Sequence, residues 1–364
     1  MEVCCPSAYT CSRMCEPKNI RHKTMHAGRN YNLKEALLWT RRDIFFLLIL
    51  ATIPTVLYES FGCKWLMIPW LPIALIGTAV AFLIGFKNNA SYDRTWEARK
   101  AWGAIVNASR SWGIMTKDFV TNRHAVEPLS EADLKEQHRQ LIYRHFAWLT
   151  ALRYQLREPR AWEAMHQAHN IEYRNKTFKI PEYETSLSDA LAQYLHPEEL
   201  DYVMSKKNKA TQILALQSKH LQIMLDKGLI EDFRHIEFVN ALTEFYNQQG
   251  VCERIKNFPY PRQFATLNLY FVHLFILMIP FGMLQEFDKI GDNFTWLNIP
   301  FAALVSWVFT TMEKIGDSTE NPFEGSANDI PVTALSRTIE IDLREMLDET
   351  EIPAALQPVN HILL

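Results

Sequence analysis

Glycine is scarce in this chain of 364 residues, with 12 in all, and the glycine-rich loops that cradle phosphates are missing. Neither G-x-G-x-x-G nor G-x-x-x-x-G-K-S/T occurs, so the common nucleotide sites have no anchor. Also absent are H-E-x-x-H, G-x-S-x-G and any C-x-x-C pair, which leaves zinc-protease, serine-hydrolase and dithiol chemistry without their residues. There is no basic excess either: 38 Lys and Arg stand against 41 Asp and Glu, for a formal net charge of −3. Nucleic acid is therefore not an indicated partner, and 48% hydrophobic residues argue against a disordered chain. No motif calls for a cofactor, and the reading is of a protein that is not an enzyme.

The most informative absence is local. Four stretches carry no Asp, Glu, Lys or Arg: Ile44–Tyr58, Trp65–Phe86, Phe264–Gln285 and Phe294–Met312. A helix needs about 20 residues to cross the hydrocarbon of a membrane. The second and third stretches meet that length, the fourth nearly does, and the first reaches it if Glu59 sits at the interface. Their 78 residues are offset by a polar remainder, which is why the mean hydropathy is only −0.14. The alternative, four buried helices of a soluble protein, fits poorly with two such close pairs.

Flanking charge sets the orientation. Arg41 and Arg42 precede the first span, Lys87, Arg94, Arg99 and Lys100 follow the second, and Arg254, Lys256 and Arg262 lead into the third. Lys314 follows the fourth, whereas the two short connections carry little positive charge. Cationic flanks stay on the cytoplasmic side, which places both termini and the middle of the chain inside, in a cell (inner) membrane.

The expected class is thus all-α: a polytopic membrane protein with four transmembrane helices and a large helical cytosolic domain. The divisions are a tail with an amphipathic helix (1–43), spans one and two (44–86), a cytosolic helical domain (87–263), spans three and four (264–312) and a cytosolic C-terminal segment (313–364). The periodicity continues unbroken from the second span through Tyr92, Trp96 and Arg99. It predicts further helices over Leu141–Leu156, from about Gln212 to Gly228, and from Glu231 and Asp232 onward. Asn32 and Glu35 suit a capping box for a surface helix over Leu33–Trp39. Near the C-terminus Asn328 or Asp329 is expected to cap a helix with Pro331 in its first turn. Its apolar stripe at Val332, Leu335, Ile339, Leu343 and Met346 calls for docking on this chain or a neighbour.

Several residues carry two readings. Cys4, Cys5, Cys11 and Cys15, with His22 and His26, are either metal donors or part of a plain tail, one that precedes a possible start at Met25. Cys63 and Cys252 fall on opposite sides of the membrane and are not expected to pair. His166 and His169 have no carboxylate placed with them and read as exposed. His273 lies within the third span, where an ionisable residue can mark coupling in a transporter; the plainer reading is a hydrogen-bonded packing residue.

On the second span, Thr78, Phe82 and Phe86 recur every four residues and share one face, beside the small residues Gly77, Ala81 and Gly85. Small residues let helices approach closely. Several copies around an axis would turn the aromatic file into a narrow hydrophobic constriction that gates by dewetting. A lipid-facing stripe gives the same pattern.

The sequence resembles the bestrophin family, in its bacterial-type branch. The resemblance rests on Gly85-Phe86-Lys87-Asn88-Asn89-Ala90-Ser91-Tyr92, Glu97-Ala98-Arg99, Trp102-Gly103 and Gly250-Val251-Cys252-Glu253-Arg254 with Pro259 and Pro261. It extends through Glu320-Asn321-Pro322-Phe323, Asn328-Asp329-Ile330-Pro331 and Arg337-Thr338-Ile339-Glu340-Ile341-Asp342-Leu343. It implies a homopentamer with one central pathway, a neck at Thr78, Phe82 and Phe86, helix packing at Gly77, Ala81 and Gly85, and a cytosolic aperture at Phe233. Thr78 departs from the bulkier apolar residue usual in the family, and its hydroxyl would make the outer ring wetter. Eukaryotic members bind calcium at an acidic cluster after the Asn-Pro-Phe turn; here only Glu324 and Asp329 are acidic, so no metal is expected. The implied activity is passive conduction of small monovalent ions, with chloride the family label and membrane lipid the surroundings. A monovalent-cation channel of the same fold, a secondary transporter and a non-conducting scaffold are the alternatives.

Overall fold

The computed structural model describes Met25–His26 and residues 33–364 apart from His361. The N-terminal cysteines, His22 and Asn32 lie outside the described residues, as do the side chains of Glu35, His166 and His169. Twelve α-helices are described: α1 (Leu33–Phe61), α2 (Trp70–Phe119), α3 (Glu131–Arg157), α4 (Ala168–Thr177), α5 (Pro181–Glu184), α6 (Leu187–Leu191), α7 (Pro197–Met204), α8 (Lys209–Asp226), α9 (Asp232–Asn257), α10 (Arg262–Asp288), α11 (Asn298–Thr319) and α12 (Val332–Met346). A two-residue strand, β1 (Met25–His26), pairs antiparallel with β2 (Ile362–Leu363) and ties the two ends of the chain together.

Among the described residues, four helices are long and apolar enough to cross a membrane, over Ala36–Phe61, Lys64–Phe119, Arg262–Asp288 and Phe294–Thr319. The membrane core forms where their buried faces meet, among them Ile73, Val80 and Ile84 of α2, Val272, Phe275 and Ile279 of α10, and Ala302 of α11. Pro54 and Pro280 stand inside α1 and α10 without ending them. Asn298 at the start of α11 donates to the Pro280 carbonyl and to the Thr55 hydroxyl, at 3.0 and 2.9 Å. A carbonyl in lipid needs such a partner.

The second span does not stop at the membrane boundary. Its helix runs for 50 residues, which at a 1.5 Å rise makes a rod of roughly 75 Å. The sequence from Lys87 to Phe119 contains no Pro and a single helix-weakening pair, Gly103 and Gly113. Beyond the membrane α2 buries Trp102 and Trp112 in a second core. There Trp112 meets Phe238 and Phe245 of α9 edge-on, with centroids 5.2 and 5.8 Å apart. Gly113 is required by α12: a methyl in its place would come within 2.4 Å of Leu343. The C-terminal helix therefore docks on its own chain, through the stripe the sequence predicts. Glu340 is an exception on that helix, because it is buried against Tyr194 and Arg344 rather than solvated.

Local chemistry sets the helix starts. Ser130 and Asn208 each accept from the backbone N–H three residues on, opening α3 and α8. Gly228 ends α8 at a φ of +70°, a conformation that L side chains avoid, and an added Cβ would meet the His124 carbonyl oxygen at 2.2 Å.

This second core also encloses His145, with its Nε2 2.9 Å from the Ser109 hydroxyl. Burial pushes this imidazole down to about 3, and burial with the Arg144 charge takes His220 down to about 4. Both stay neutral in the folded protein but take up a proton below about pH 6.5 once unfolded. The unfolded state then binds more protons, so stability falls as the pH drops below that value. By pH 5 the His145 share is roughly 2 kcal/mol. Thermal unfolding at pH 7.5 and 5 measures it, and His145→Gln should remove part of the slope. An unchanged slope in that variant would contradict the assignment.

Candidate ion pathway

Helix α2 has two unlike faces in the membrane. Ile73, Gly77, Val80, Ile84 and Lys87 are buried within the chain. Phe82 and Phe86 point the opposite way and are 67% and 66% exposed, and Thr78 lies exposed in line with them. The three neck residues predicted from the sequence thus share one uncovered face. The Thr78 hydroxyl donates back to the Ala74 carbonyl at 3.0 Å, so its hydrogen is taken by its own helix. Below Phe86 the same exposed face continues through Asn89, Asp93, Lys100 and Asn107 and becomes polar.

The small residues divide between two roles. Gly77 belongs to the contact inside the chain, since a methyl there would lie 2.6 Å from the Phe275 ring of α10. Ala81 is exposed, and a Cβ on Gly85 would meet nothing within 4 Å. The sequence pattern grouped all three because they repeat every four residues; helical rotation places Gly77 on the face of Ile73 and Val80.

Phe233 sits in the first turn of α9 and is 84% exposed. Its surroundings are fixed to the far end of α2. The Arg234 guanidinium donates to the Asp118 carbonyl at 3.3 Å and lies 5.3 Å from the Phe119 ring centre. Glu231 pairs with His124 at 2.6 Å and with Arg234 at 3.3 Å. Phe86 and Phe119 are 33 residues apart on one helix, roughly 50 Å. The aromatic file and Phe233 therefore stand at opposite ends of a single rod, with polar exposed positions between.

The structure adds a buried charge cluster that the sequence reading passed over. Lys87, directly after Phe86, donates from Nζ to Glu313 Oε1 at 2.5 Å and to Asp317 Oδ1 at 2.6 Å. Asn268 Nδ2 donates to the other Glu313 oxygen at 2.6 Å. The available signal was that two charge-free stretches end in opposite charges, Lys87 and Glu313. A second device is Arg94, which donates to the carbonyls of Ile255, Phe258 and Glu320 and so closes the ends of α9 and α11 against α2. His273, expected as a packing residue, lies instead on the exposed face of α10.

Asp329 is a correction. It does not cap α12; Pro331 occupies the N-cap position. The Asp329 carboxylate accepts from Arg157 Nη1 at 3.0 Å, the Gly325 N–H at 2.6 Å and the Ser326 hydroxyl at 2.5 Å. Glu324 is buried beside it, and desolvation with the neighbouring Asp329 and Glu163 charges pushes it well above the usual carboxylate range. A hard cation needs six to eight oxygens. Among the described residues no group of three His, Cys, Asp or Glu is placed to hold a metal. Cys63 and Cys252 are both free, and burial pushes the Cys252 thiol up.

Residues 36–345 match the family model described as "Bacterial/Fungal Bestrophin protein". The chain is 28% identical over 305 residues to the voltage-dependent anion channel-forming protein YneE of Escherichia coli, covering 84% of each. It is 30% identical over 278 residues to a voltage-dependent anion channel-forming protein of Ralstonia nicotianae, covering 76% of this chain and 77% of the relative. In three dimensions it is similar to the crystal structure of a bacterial bestrophin homologue from Klebsiella pneumoniae, with a TM-score of 0.68 and 22% identity, covering 85% of this chain and 98% of that one.

Proposed function

Because the chain belongs to the bacterial and fungal bestrophin family, we propose that it is a passive anion channel, assembled as a homopentamer around one central pathway. The observation that carries this reading is the uncovered face of α2, where Thr78, Phe82 and Phe86 stand exposed among the described residues. Five copies of that face give a dry aromatic neck, in which ions pass only when the ring is wetted. The polar continuation of the same face lines a vestibule, and Phe233 narrows its cytosolic exit. The cationic flanks of the spans support an inner-membrane orientation with both termini in the cytoplasm. An anion is the permeant species favoured by the names of the curated relatives, and chloride is the one to test.

The test is a reversal potential on purified protein in a planar bilayer under a KCl gradient. A value near the chloride equilibrium potential is the expected result. A value near that of potassium would make it a cation channel of the same fold. Silence from a verified pentamer, or saturating flux coupled to a second ion, would replace conduction by a scaffold or a transporter.

A further inference from the structure

A cavity of about 370 Å³ lies away from the α2 face, where the cytosolic ends of α1 and α11 meet α4 and the loop before α12. Its volume is in the range of small-molecule sites, which run from roughly 300 to 1,000 Å³. Along α11 its wall follows Trp307, Thr311, Ile315 and Ser318, one helical face about 16 Å long. Trp39 and Tyr173 add apolar surface, while Ser326 and Asn328 stand at the cytosolic end. The cavity is therefore apolar along the membrane and polar where it reaches the cytosol. Thr311 lines it with a buried hydroxyl that has no hydrogen-bond partner within the chain.

The rim is cationic. Arg41, Arg42 and Lys176 all bond the single carboxylate of Glu172, at 2.7, 3.0 and 2.8 Å. Arg41 adjoins the lining residue Thr40, and Glu172 adjoins Tyr173. Lys314 pairs with Asp43 at 2.5 Å, with its ammonium 5.9 Å from the Trp39 ring centre. Four cations thus face two carboxylates. Arg41, Arg42 and Lys176 keep much of their side chains exposed, at 47%, 63% and 71%. The competition among them holds Glu172 at about 2, with the Lys176 and Arg41 hydrogen bonds the leading causes.

We propose that this cavity binds one acyl chain of an anionic amphiphile from the cytosolic leaflet, its headgroup held by Arg41, Arg42 and Lys176. The single, narrow apolar wall suits one chain, and the surplus positive charge at the rim selects an anionic over a neutral head. The site is independent of the conduction path, so its test does not depend on ion flux.

The experiment is native mass spectrometry of the full-length, delipidated protein from an uncharged detergent, counting bound molecules per subunit. The probes are dodecanoate, dodecanol, phosphatidylglycerol and phosphatidylcholine. The expected result is saturable binding of dodecanoate or phosphatidylglycerol at one per subunit, with the uncharged or zwitterionic counterpart roughly tenfold weaker. Binding of dodecanoate alone identifies free fatty acid as the source, and binding of phosphatidylglycerol identifies the leaflet lipid. Thr311→Trp, which fills the cavity, should abolish binding. Arg41→Gln with Arg42→Gln should weaken it about tenfold without altering the oligomer mass, and it keeps the test decisive if Thr311→Trp fails to assemble. Equal binding of charged and neutral probes would overturn the proposal. So would binding that survives both variants, or the absence of binding.

Discussion

Phe82→Ala is expected to raise single-channel conductance several-fold while the assembled protein keeps its size and stability. The direction follows from where the ring points. Phe82 is two-thirds exposed in the chain, so its removal takes little from the fold, within the roughly 0.5 kcal/mol typical of surface changes. In an assembly the same ring recurs in every subunit, and each copy removed widens the constriction at one level. A narrow apolar ring resists wetting, and that barrier falls steeply once the ring opens. Planar-bilayer recordings of the variant, with its oligomer checked by size-exclusion chromatography, make the measurement. Val80→Ala is the control on the same helix: Val80 is buried against α10 and α11, so that change should lower thermal stability and leave conductance alone. Wild-type currents from a well-assembled Phe82→Ala protein would remove Phe82 from the path.

The spans were legible because lipid demands long charge-free runs, and no other pressure in the sequence imitates four of them in two pairs. The continuity of α2 was legible as far as Trp112, since no proline interrupts Asn88–Trp112, and the structure carries the helix on to Phe119. The aromatic face of α2 was readable as a period-four file, a spacing that a lipid-facing stripe shares. Which faces the chain itself covers was not readable, because that depends on contacts such as Gly77 with Phe275, nearly 200 residues apart in sequence. Asp329 misled for a related reason. An Asp just before a helical proline is the local signature of a cap, yet Arg157, more than 170 residues earlier, claims its carboxylate. Periodicity reports local preference; charge pairs that close over such distances leave no local trace. The cavity beside α11 belongs to this second class, because its walls come from four separated segments.

Lys87→Met should destabilise the protein by about 3–5 kcal/mol without changing ion selectivity. A lysine directly after Phe86 invites the idea that it attracts anions. Its burial argues against that role: the side chain is 2% exposed and turned onto the α10–α11 side, where the Glu313 and Asp317 carboxylates accept its hydrogen bonds. The lysine balances two carboxylates, one of which, Glu313, is itself 4% exposed. Methionine keeps the length and apolar stem but leaves Glu313 as an uncompensated buried charge, and stranding one partner of a buried pair is far costlier than removing both. Lys87→Met combined with Glu313→Gln should therefore recover most of the loss, because the amide still accepts from Asn268 while Asp317 is a third exposed and can be hydrated. Thermal unfolding of wild type, the two single variants and the double variant at one protein concentration gives the coupling, and the reversal potential of each gives the selectivity. A single variant as stable as wild type would mean that the triad does not hold α2 to α11. A shifted reversal potential in a stable variant would put Lys87 in the field of the pathway, contrary to its burial.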